Sequence, residues 1–153
     1  MTPRGIERST VLTATPDQVW AAVGDFGALA DWHPHLPPST IEDDADPELP
    51  GAVRVFAVDG EIVARERLLE HDAGARRYRY ALLDPLVLPV GDYVATLAVR
   101  PHADGAEVHW SAVYRGADEV VPEVESLFGD RTYATGLAAL HARFARPGAG
   151  PAV

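Results

Sequence analysis

The stretch DYVATLAVRPHADGAEVHWSAVY, residues 92–114, has the pattern of two β-strands joined by a tight turn. Apolar and polar side chains alternate on either side of Asp104-Gly105, and an Asp-Gly pair is a strong signal for a hairpin turn because these residues tolerate positive φ. The stretch therefore predicts an antiparallel pair with one aromatic and aliphatic face, made of Tyr93, Ala95, Leu97, Val99, Val108, Trp110, Ala112 and Tyr114.

The same two-residue period continues upstream of this hairpin. The segment Asp84–Gly91 contains two prolines and predicts a structured loop, because proline cannot donate to a sheet. Asp59-Gly60 is a second strong hairpin signal. With Asp92–Arg100 and Glu107–Tyr114, the candidate strands number seven, the others being Gly5–Thr13, Ser39–Asp43, Ala52–Val58, Glu61–His71 and Arg76–Leu83.

Helix signals occur in two places. Thr15-Pro16-Asp17-Gln18 is a capping box with proline at the first helical position, so a short helix is expected there, with Gly24 at its end. A further helical turn is expected over Ala28 to Asp31. Near the C-terminus, from Ala117 to about Phe144, apolar residues recur at about 3.6 residues, which predicts one long amphipathic helix; these are Val120, Val124, Leu127, Phe128, Leu137, Leu140 and Phe144.

These elements predict an α+β protein: a single seven-stranded antiparallel sheet with a long C-terminal helix across its apolar face. A helix covers a curved sheet imperfectly, so an internal hydrophobic cavity is expected between them. We expect a single domain over residues 1–146 and a disordered tail over residues 147–153. Gly129 and Gly136 interrupt the helical pattern and indicate a bend or close packing.

Charge and composition exclude several functional classes. The 153 residues include 13 Lys and Arg against 23 Asp and Glu, a formal net charge of -10, which disfavours binding to nucleic acid or to anionic lipid. The chain has no cysteine, so thiolate chemistry is excluded. No apolar run approaches the roughly 18 residues of a membrane span, and Met1 to Thr10 lacks the apolar core of a signal peptide. A cytoplasmic protein is expected.

Two charged residues stand in apolar rows of the predicted sheet. Glu66 shares its face with Ala64 and Leu68, and with Ile62 nearer the hairpin turn, whereas its neighbours Arg65 and Arg67 point the other way. Arg54 shares a face with Phe56 and Val58, but the pattern leaves open which face of that strand is inside. A carboxylate among apolar groups has its pKa raised by desolvation and lowered by a nearby arginine, a combination suited to proton transfer. The alternative is an ion pair that only closes the sheet.

The histidines give weaker signals. Trp32-His33-Pro34-His35 resembles a metal-binding pair, but a third ligand is lacking, and a position at the cavity mouth is the more natural one. His71, His102 and His109 are expected on solvated positions. No nucleotide-binding motif occurs. We therefore expect neither a metal nor a cofactor.

The order of motifs resembles that of polyketide cyclase/dehydratase-like proteins of the START/Bet v 1-like (SRPBCC) superfamily. The resemblance covers most of the chain and implies a helix-grip fold, in which the sheet wraps around the C-terminal helix and encloses a hydrophobic ligand cavity. The motifs that carry it are Thr15-Pro16-Asp17-Gln18-Val19-Trp20, Asp25-Phe26, Trp32-His33-Pro34, Gly51-Ala52-Val53-Arg54 and Glu66-Arg67-Leu68.

One branch of the superfamily, the plant lachrymatory-factor synthases, resembles this chain around Arg54 and Glu66. That resemblance implies that the two residues are a catalytic pair, although they lie closer together in this sequence. The functional hypothesis is a cofactor-independent cyclase, dehydratase or isomerase that acts on a small hydrophobic polyketide-like substrate by acid–base proton transfer. The expected substrate contacts are Trp32, His33, Phe56, Tyr78, Tyr80, Tyr93, Trp110 and Tyr114.

Two other functions fit the same pattern. The first is a carrier or sensor that holds a hydrophobic small molecule without changing it. The second is a subunit that presents the Asp84–Gly91 loop to another protein. The sequence predicts no partner among nucleic acids or membranes, and it is compatible with a monomer or a homodimer.

Overall fold

The computed structural model describes residues 2–145. Seven strands form one antiparallel sheet in the order β1-β7-β6-β5-β4-β3-β2, and the helices follow β1 and β7 in the chain. The elements are β1 (Thr2–Leu12), α1 (Pro16–Val23), β2 (Ser39–Ile41), β3 (Val53–Val58), β4 (Glu61–Asp72), β5 (Arg77–Leu83), β6 (Gly91–His102), β7 (Gly105–Gly116), α2 (Val121–Val124) and α3 (Thr135–Arg143).

The hairpin predicted from residues 92–114 is the β6–β7 pair. Leu97 lies opposite Trp110 and Ala95 opposite Ala112. All eight side chains expected on the apolar face are buried. Since burying one large apolar side chain contributes about 1.5–3 kcal/mol, this face supplies much of the energy that holds the sheet to the helices.

The first helix is fixed by its predicted capping box. The Gln18 amide donates to Thr15 Oγ1 at 3.1 Å, and the Thr15 amide donates to Gln18 Oε1 at 3.0 Å. The helix ends where the Gly24 amide donates to the Trp20 carbonyl at 2.8 Å. Both helix-boundary predictions are confirmed.

The C-terminal helix was predicted as one α-helix, and that prediction is wrong in its middle. A 3₁₀ turn over Asp118–Val120 leads into α2, a π-helical segment spans Glu125–Ala134, and α3 follows directly. Phe128 and Tyr133 are both buried although they stand five residues apart. An α-helix would turn them to different faces, whereas the i→i+5 repeat of a π-helix aligns them.

The last helix packs closely because of one glycine. A Cβ added to Gly136 would lie 2.7 Å from His33 Cδ2 and 3.0 Å from an atom of the Trp32 ring. The close packing expected at Gly136 is therefore present. At Gly129 the same Cβ would meet only the guanidinium end of Arg8, which can move.

Strand β1 is tied to the C-terminal helical run by polar contacts. Arg8 Nη2 lies 3.2 Å from Glu125 Oε1 and 3.1 Å from Asp130 Oδ1, and Thr13 Oγ1 donates to the Phe144 carbonyl at 3.1 Å. The predicted tail, residues 147–153, lies outside the described residues. Within residues 2–145, no helix is both long enough and apolar enough to cross a membrane.

Candidate functional site

A cavity of about 200 Å³ lies between the sheet and the π-helical segment. Its sheet wall includes Phe56, Tyr80 and Trp110, and its helix wall consists of Leu127, Phe128, Thr132 and Tyr133. Since a cavity of roughly 150 Å³ holds benzene, this one has room for a molecule of about one ring with a small substituent.

The charged end of the cavity is an ion pair between adjacent strands. Arg54 on β3 stands directly opposite Glu66 on β4, and Arg54 Nε donates to Glu66 Oε1 at 2.6 Å. The Arg54 side chain is fully buried, and 12% of the Glu66 side chain is exposed. Arg54 and Phe56 thus face inward. Val58 and Ile62, near the hairpin turn, are half exposed because a bulge after Phe56 shifts the register there.

Arg54 is held rigidly but is not fully hydrogen-bonded. Its Nη1 donates to the Phe26 carbonyl at 3.0 Å and to the Tyr78 hydroxyl at 3.4 Å. Its guanidinium carbon lies 4.2 Å from the Phe26 ring centre and 4.6 Å from that of Tyr80, so two aromatic rings hold the group in place.

One edge of the guanidinium has no partner. Arg54 Nη2 is buried and makes no hydrogen bond within the described residues. Burial opposes the charge of Arg54, but the Glu66 carboxylate together with Tyr78 and Tyr80 outweighs burial and raises the pKa of the guanidinium above its ordinary value. A permanently charged donor therefore stands unsatisfied on a residue that lines the cavity, and an oxygen acceptor within its reach would relieve the cost.

Three phenols and an indole form the other polar group of the cavity. Trp110 Nε1 donates to the Tyr80 hydroxyl at 3.1 Å, and the hydroxyls of Tyr93 and Tyr133 are hydrogen-bonded to each other. Burial raises the pKa of Tyr80, Tyr93 and Tyr133 well above the ordinary value. These phenols therefore remain neutral hydrogen-bond donors at any physiological pH.

Five residues expected at the site line the cavity: Arg54, Glu66, Phe56, Tyr80 and Trp110. The other five are buried but do not line it; they are Trp32, His33, Tyr78, Tyr93 and Tyr114.

Each of these five is screened from the cavity by another side chain. Tyr78 stands behind Arg54 and packs edge-on against Phe26, with ring centres 5.5 Å apart. Tyr93 packs on Phe128 with ring centres 4.8 Å apart, and Tyr114 packs on Tyr93. A two-residue period shows the face of a strand and cannot show which side chain on that face covers another.

Trp32 and His33 lie beneath the helix rather than at the cavity mouth. The Trp32 ring packs against Trp110, and both Trp32 and His33 lie against Gly136. His33 Nε2 lies 2.7 Å from the Thr132 carbonyl, and its Nδ1 accepts from the His35 amide at 3.2 Å. Both ring nitrogens are thus used within the protein. Among residues 2–145, no three His, Asp or Glu side chains are grouped as metal ligands.

Two polar residues of the cavity wall were not predicted from the sequence. Tyr133 and Thr132 lie on the π-helical segment, and a search at 3.6 residues passes over them. The sequence does contain a signal for them. Large apolar or aromatic residues follow the α-helical period before Phe128 and after Tyr133, but these two residues are five positions apart, which is the spacing of a π-helix.

The expectation that His71 is solvated was also wrong. A bulge between Leu68 and Glu70 reverses the alternation of β4, so His71 turns toward the sheet neighbour Tyr78. The two rings are stacked with centres 6.2 Å apart, and His71 Nε2 lies 2.7 Å from the Gly24 carbonyl.

Acidification is expected to weaken the fold through His33. Burial lowers the pKa of His33, so the unfolded chain binds its proton at a higher pH than the folded protein does. The stabilisation is complete above the ordinary histidine pKa of about 6.5 and is lost as the pH falls below it. Urea unfolding at pH values on either side of this range measures the slope. The His33→Gln variant should reduce the slope of the free energy of unfolding against pH, and His35→Gln should leave this slope unchanged. Equal slopes in all three proteins would contradict the assignment of the pH dependence to His33.

Comparison with known proteins places this arrangement in a family. A family model described as polyketide cyclase / dehydrase and lipid transport matches residues 4–145, almost the whole chain. The chain belongs to the polyketide cyclase/dehydrase family. No curated protein matches its sequence significantly.

Solved structures agree with this family assignment. A protein from Thermobifida fusca, solved by NMR, is 39% identical over 92% of each chain, with a TM-score of 0.85. Norcoclaurine synthase from Thalictrum flavum is 21% identical over 94% of each chain, with a TM-score of 0.69. Ginseng major latex-like protein 151 from Panax ginseng is 13% identical over 94% of this chain and 99% of its own, with a TM-score of 0.72. The polyketide cyclase/dehydrase chain therefore has the helix-grip fold of Bet v 1-like proteins, as predicted.

Proposed function

We propose that this member of the polyketide cyclase/dehydrase family binds a small neutral carbonyl compound and catalyses a proton transfer that leads to cyclisation, dehydration or isomerisation. One observation carries the proposal: Arg54 and Glu66 both line the cavity as one ion pair, and the guanidinium nitrogen Arg54 Nη2 has no hydrogen-bond partner among the described residues. A donor for an oxygen and a base for a proton are thus side by side.

The cavity favours a neutral ligand. Arg54 and Glu66 already neutralise each other, and the remaining wall contains no charged side chain. An anionic ligand would place one uncompensated charge in a medium of low dielectric constant, which is costly. A ketone or keto ester can satisfy Arg54 Nη2 without bringing a charge. The volume of about 200 Å³ limits such a compound to about the size of one ring.

The proposed step keeps the number of charges constant. Glu66 Oε2, which no described donor contacts, takes the proton from the carbon next to the carbonyl, and the electron pair of the broken C–H bond moves to the carbonyl oxygen. Arg54 Nη2 donates to the resulting enolate. A negative charge leaves Glu66 as one appears on the substrate, so Arg54 remains paired throughout, as electrostatic stabilisation of a transition state requires.

The second half of the reaction returns the proton. In an isomerisation, the substrate has a C=C bond next to the carbon that loses its proton, and Glu66 returns the proton to the far carbon of the resulting dienolate. In a cyclisation, the enolate carbon attacks a second carbonyl group and Glu66 protonates the oxygen formed. In a dehydration, Glu66 protonates a departing hydroxyl group. A C–H bond between two carbonyl groups suits a carboxylate base best, because it is the most acidic kind of C–H bond that such a compound offers.

The resemblance of Arg54 and Glu66 to the pair of the lachrymatory-factor synthases supports the same assignment. Phe56, Tyr80 and Trp110 are proposed to contact the substrate. Tyr78, Tyr93 and Tyr114, with Trp32 and His33, are proposed to support it from behind. The reaction needs no cofactor, and we propose that it takes place in the cytoplasm in a monomer or homodimer without nucleic-acid or membrane partners.

A non-catalytic carrier or sensor is the alternative. It is favoured by the same ion pair, since a 2.6 Å contact between Arg54 Nε and Glu66 Oε1 would also serve to fix the arginine as an anchor for a polar head. Such a protein would bind the carbonyl compound and release it unchanged.

The exchange of a substrate proton for deuterium distinguishes the two functions. Methyl acetoacetate is small and neutral, and its acidic methylene group lies between two carbonyl groups. In heavy water, NMR follows the loss of the methylene signal with and without the protein. The proposed enzyme exchanges these protons faster than the buffer does, and saturably. Binding of the ester without faster exchange would establish a carrier and overturn the catalytic proposal.

A further inference from the structure

The second polar group of the cavity is centred on Tyr133, for which neither the sequence nor the resemblance gave a role. The Tyr133 ring stacks on Trp110 with ring centres 4.4 Å apart and an interplanar angle of 17°, and Tyr133 is only 1% exposed. Its hydroxyl is bonded to that of Tyr93, which lies behind it. Stacking and hydrogen bonding together fix where this phenol points, while it still lines the cavity.

A count of protons shows that this group has a donor to spare. Trp110 can only donate, so the Tyr80 oxygen accepts from it. The Tyr80 hydroxyl is in turn hydrogen-bonded to the Tyr133 hydroxyl. Between Tyr93 and Tyr133 only one of the two hydroxyl protons lies in their shared bond. The three phenols therefore have three hydroxyl protons for two mutual hydrogen bonds, which leaves one proton for a ligand, and Tyr80 and Tyr133 both line the cavity.

The phenols and the ion pair act on the same space. Glu66 and Tyr133 line the same cavity. The charge of Glu66 also raises the pKa of Tyr133, after the larger effects of burial and of Tyr93. The cavity thus has a charged end at Arg54 and Glu66 and a second, neutral donor end at Tyr133. A ligand with a single oxygen would satisfy only one of them.

We propose that Tyr133 is a substrate-contacting residue that donates a hydrogen bond to a second oxygen of the substrate, and that Tyr93 positions it. This proposal rests on the proposed function and narrows its substrate class to small compounds with two separated oxygen groups. The first oxygen, the carbonyl, is bound by Arg54, and the second fixes the orientation of the carbon that loses its proton.

Ligand binding to matched probes tests this assignment. Acetophenone carries one oxygen, and its ortho, meta and para hydroxy derivatives add a second oxygen at three positions around the ring. Calorimetric titration of wild type, Tyr133→Phe and Tyr114→Phe gives a dissociation constant for each probe. Phenylalanine retains the ring that stacks on Trp110 and removes only the hydroxyl. Tyr114→Phe is the control, because Tyr114 is also a buried phenol but does not line the cavity.

In wild type, at least one hydroxy derivative should bind about 3–10-fold more tightly than acetophenone, the value of one hydrogen bond. Tyr133→Phe should abolish that preference and leave the affinity for acetophenone unchanged, and Tyr114→Phe should retain it. Two results would overturn the role of Tyr133 without touching the proposed function. One is tighter binding of a hydroxy derivative that persists in Tyr133→Phe, and the other is a wild type that binds acetophenone but prefers none of its hydroxy derivatives. A wild type that binds no acetophenone at all would contradict the proposed function and this proposal with it.

Discussion

The Glu66→Gln variant should exchange the methylene protons of methyl acetoacetate about 10²–10⁴-fold more slowly than wild type, the usual contribution of a general base. The amide oxygen of glutamine can still accept from Arg54 Nε, so the pocket keeps its shape, but an amide cannot take a proton from carbon. Affinity for the ester should remain within a few-fold, because Arg54 Nη2 still holds the carbonyl. Exchange followed by NMR and binding followed by calorimetry measure the two quantities separately.

The control is Glu70→Gln on the same strand. Glu70 forms a 2.8 Å ion pair with Arg77, but their side chains are 38% and 43% exposed, away from the cavity. This variant should exchange protons at the wild-type rate. Equal rates in Glu66→Gln and wild type would remove Glu66 from the mechanism, whatever the ester affinity.

The Glu66→Ala variant should lose roughly 3–5 kcal/mol in free energy of unfolding. It leaves the fully buried Arg54 without its counter-charge, and a guanidinium cannot give up its proton to escape that cost. Arg54→Met/Glu66→Leu should fold with a stability close to that of wild type, because replacing both ions by apolar side chains of similar volume removes the desolvation cost along with the attraction.

Urea unfolding of wild type, Glu66→Ala and the double variant measures these differences, with far-ultraviolet circular dichroism as the check on folding. A double variant as unstable as Glu66→Ala would mean that the pair is needed to hold the sheet together. A stable double variant without exchange activity would mean that the pair is retained for function. The second outcome is the one we expect.

The sheet was predictable because each hairpin carries a local signal. Asp59-Gly60 and Asp104-Gly105 mark turns, and the alternation in β6 and β7 is unbroken wherever it was used to assign a face. Arg54 and Glu66 could be selected as site candidates because a charge in an apolar row is unusual in any strand. Their direct pairing required the register of β3 against β4, which only the three-dimensional structure gives.

The errors arose where the backbone departs from a regular period. One extra residue in β4 was enough to reverse His71, and the π-helical segment moved Thr132 and Tyr133 to a face that a 3.6-residue period does not reach. The π-helical segment lines the cavity, whereas the bulge lies beyond Glu66 on β4. The sequence also does not show which side chain of a buried face covers another. For this reason Tyr78 and Tyr93 were expected in the cavity wall, although Arg54 and Tyr133 form it there.

The central claim is that Arg54 binds the carbonyl oxygen of a ligand next to Glu66. Infrared difference spectroscopy of bound methyl acetoacetate tests it most directly, since a hydrogen bond from a charged donor lowers the stretching frequency of a carbonyl group. We expect the ketone band to lie at lower frequency on wild type than in an apolar solvent, and to return to the solvent value on Arg54→Met/Glu66→Leu. The same band position on both proteins would show that the ester binds away from Arg54 and would contradict the account.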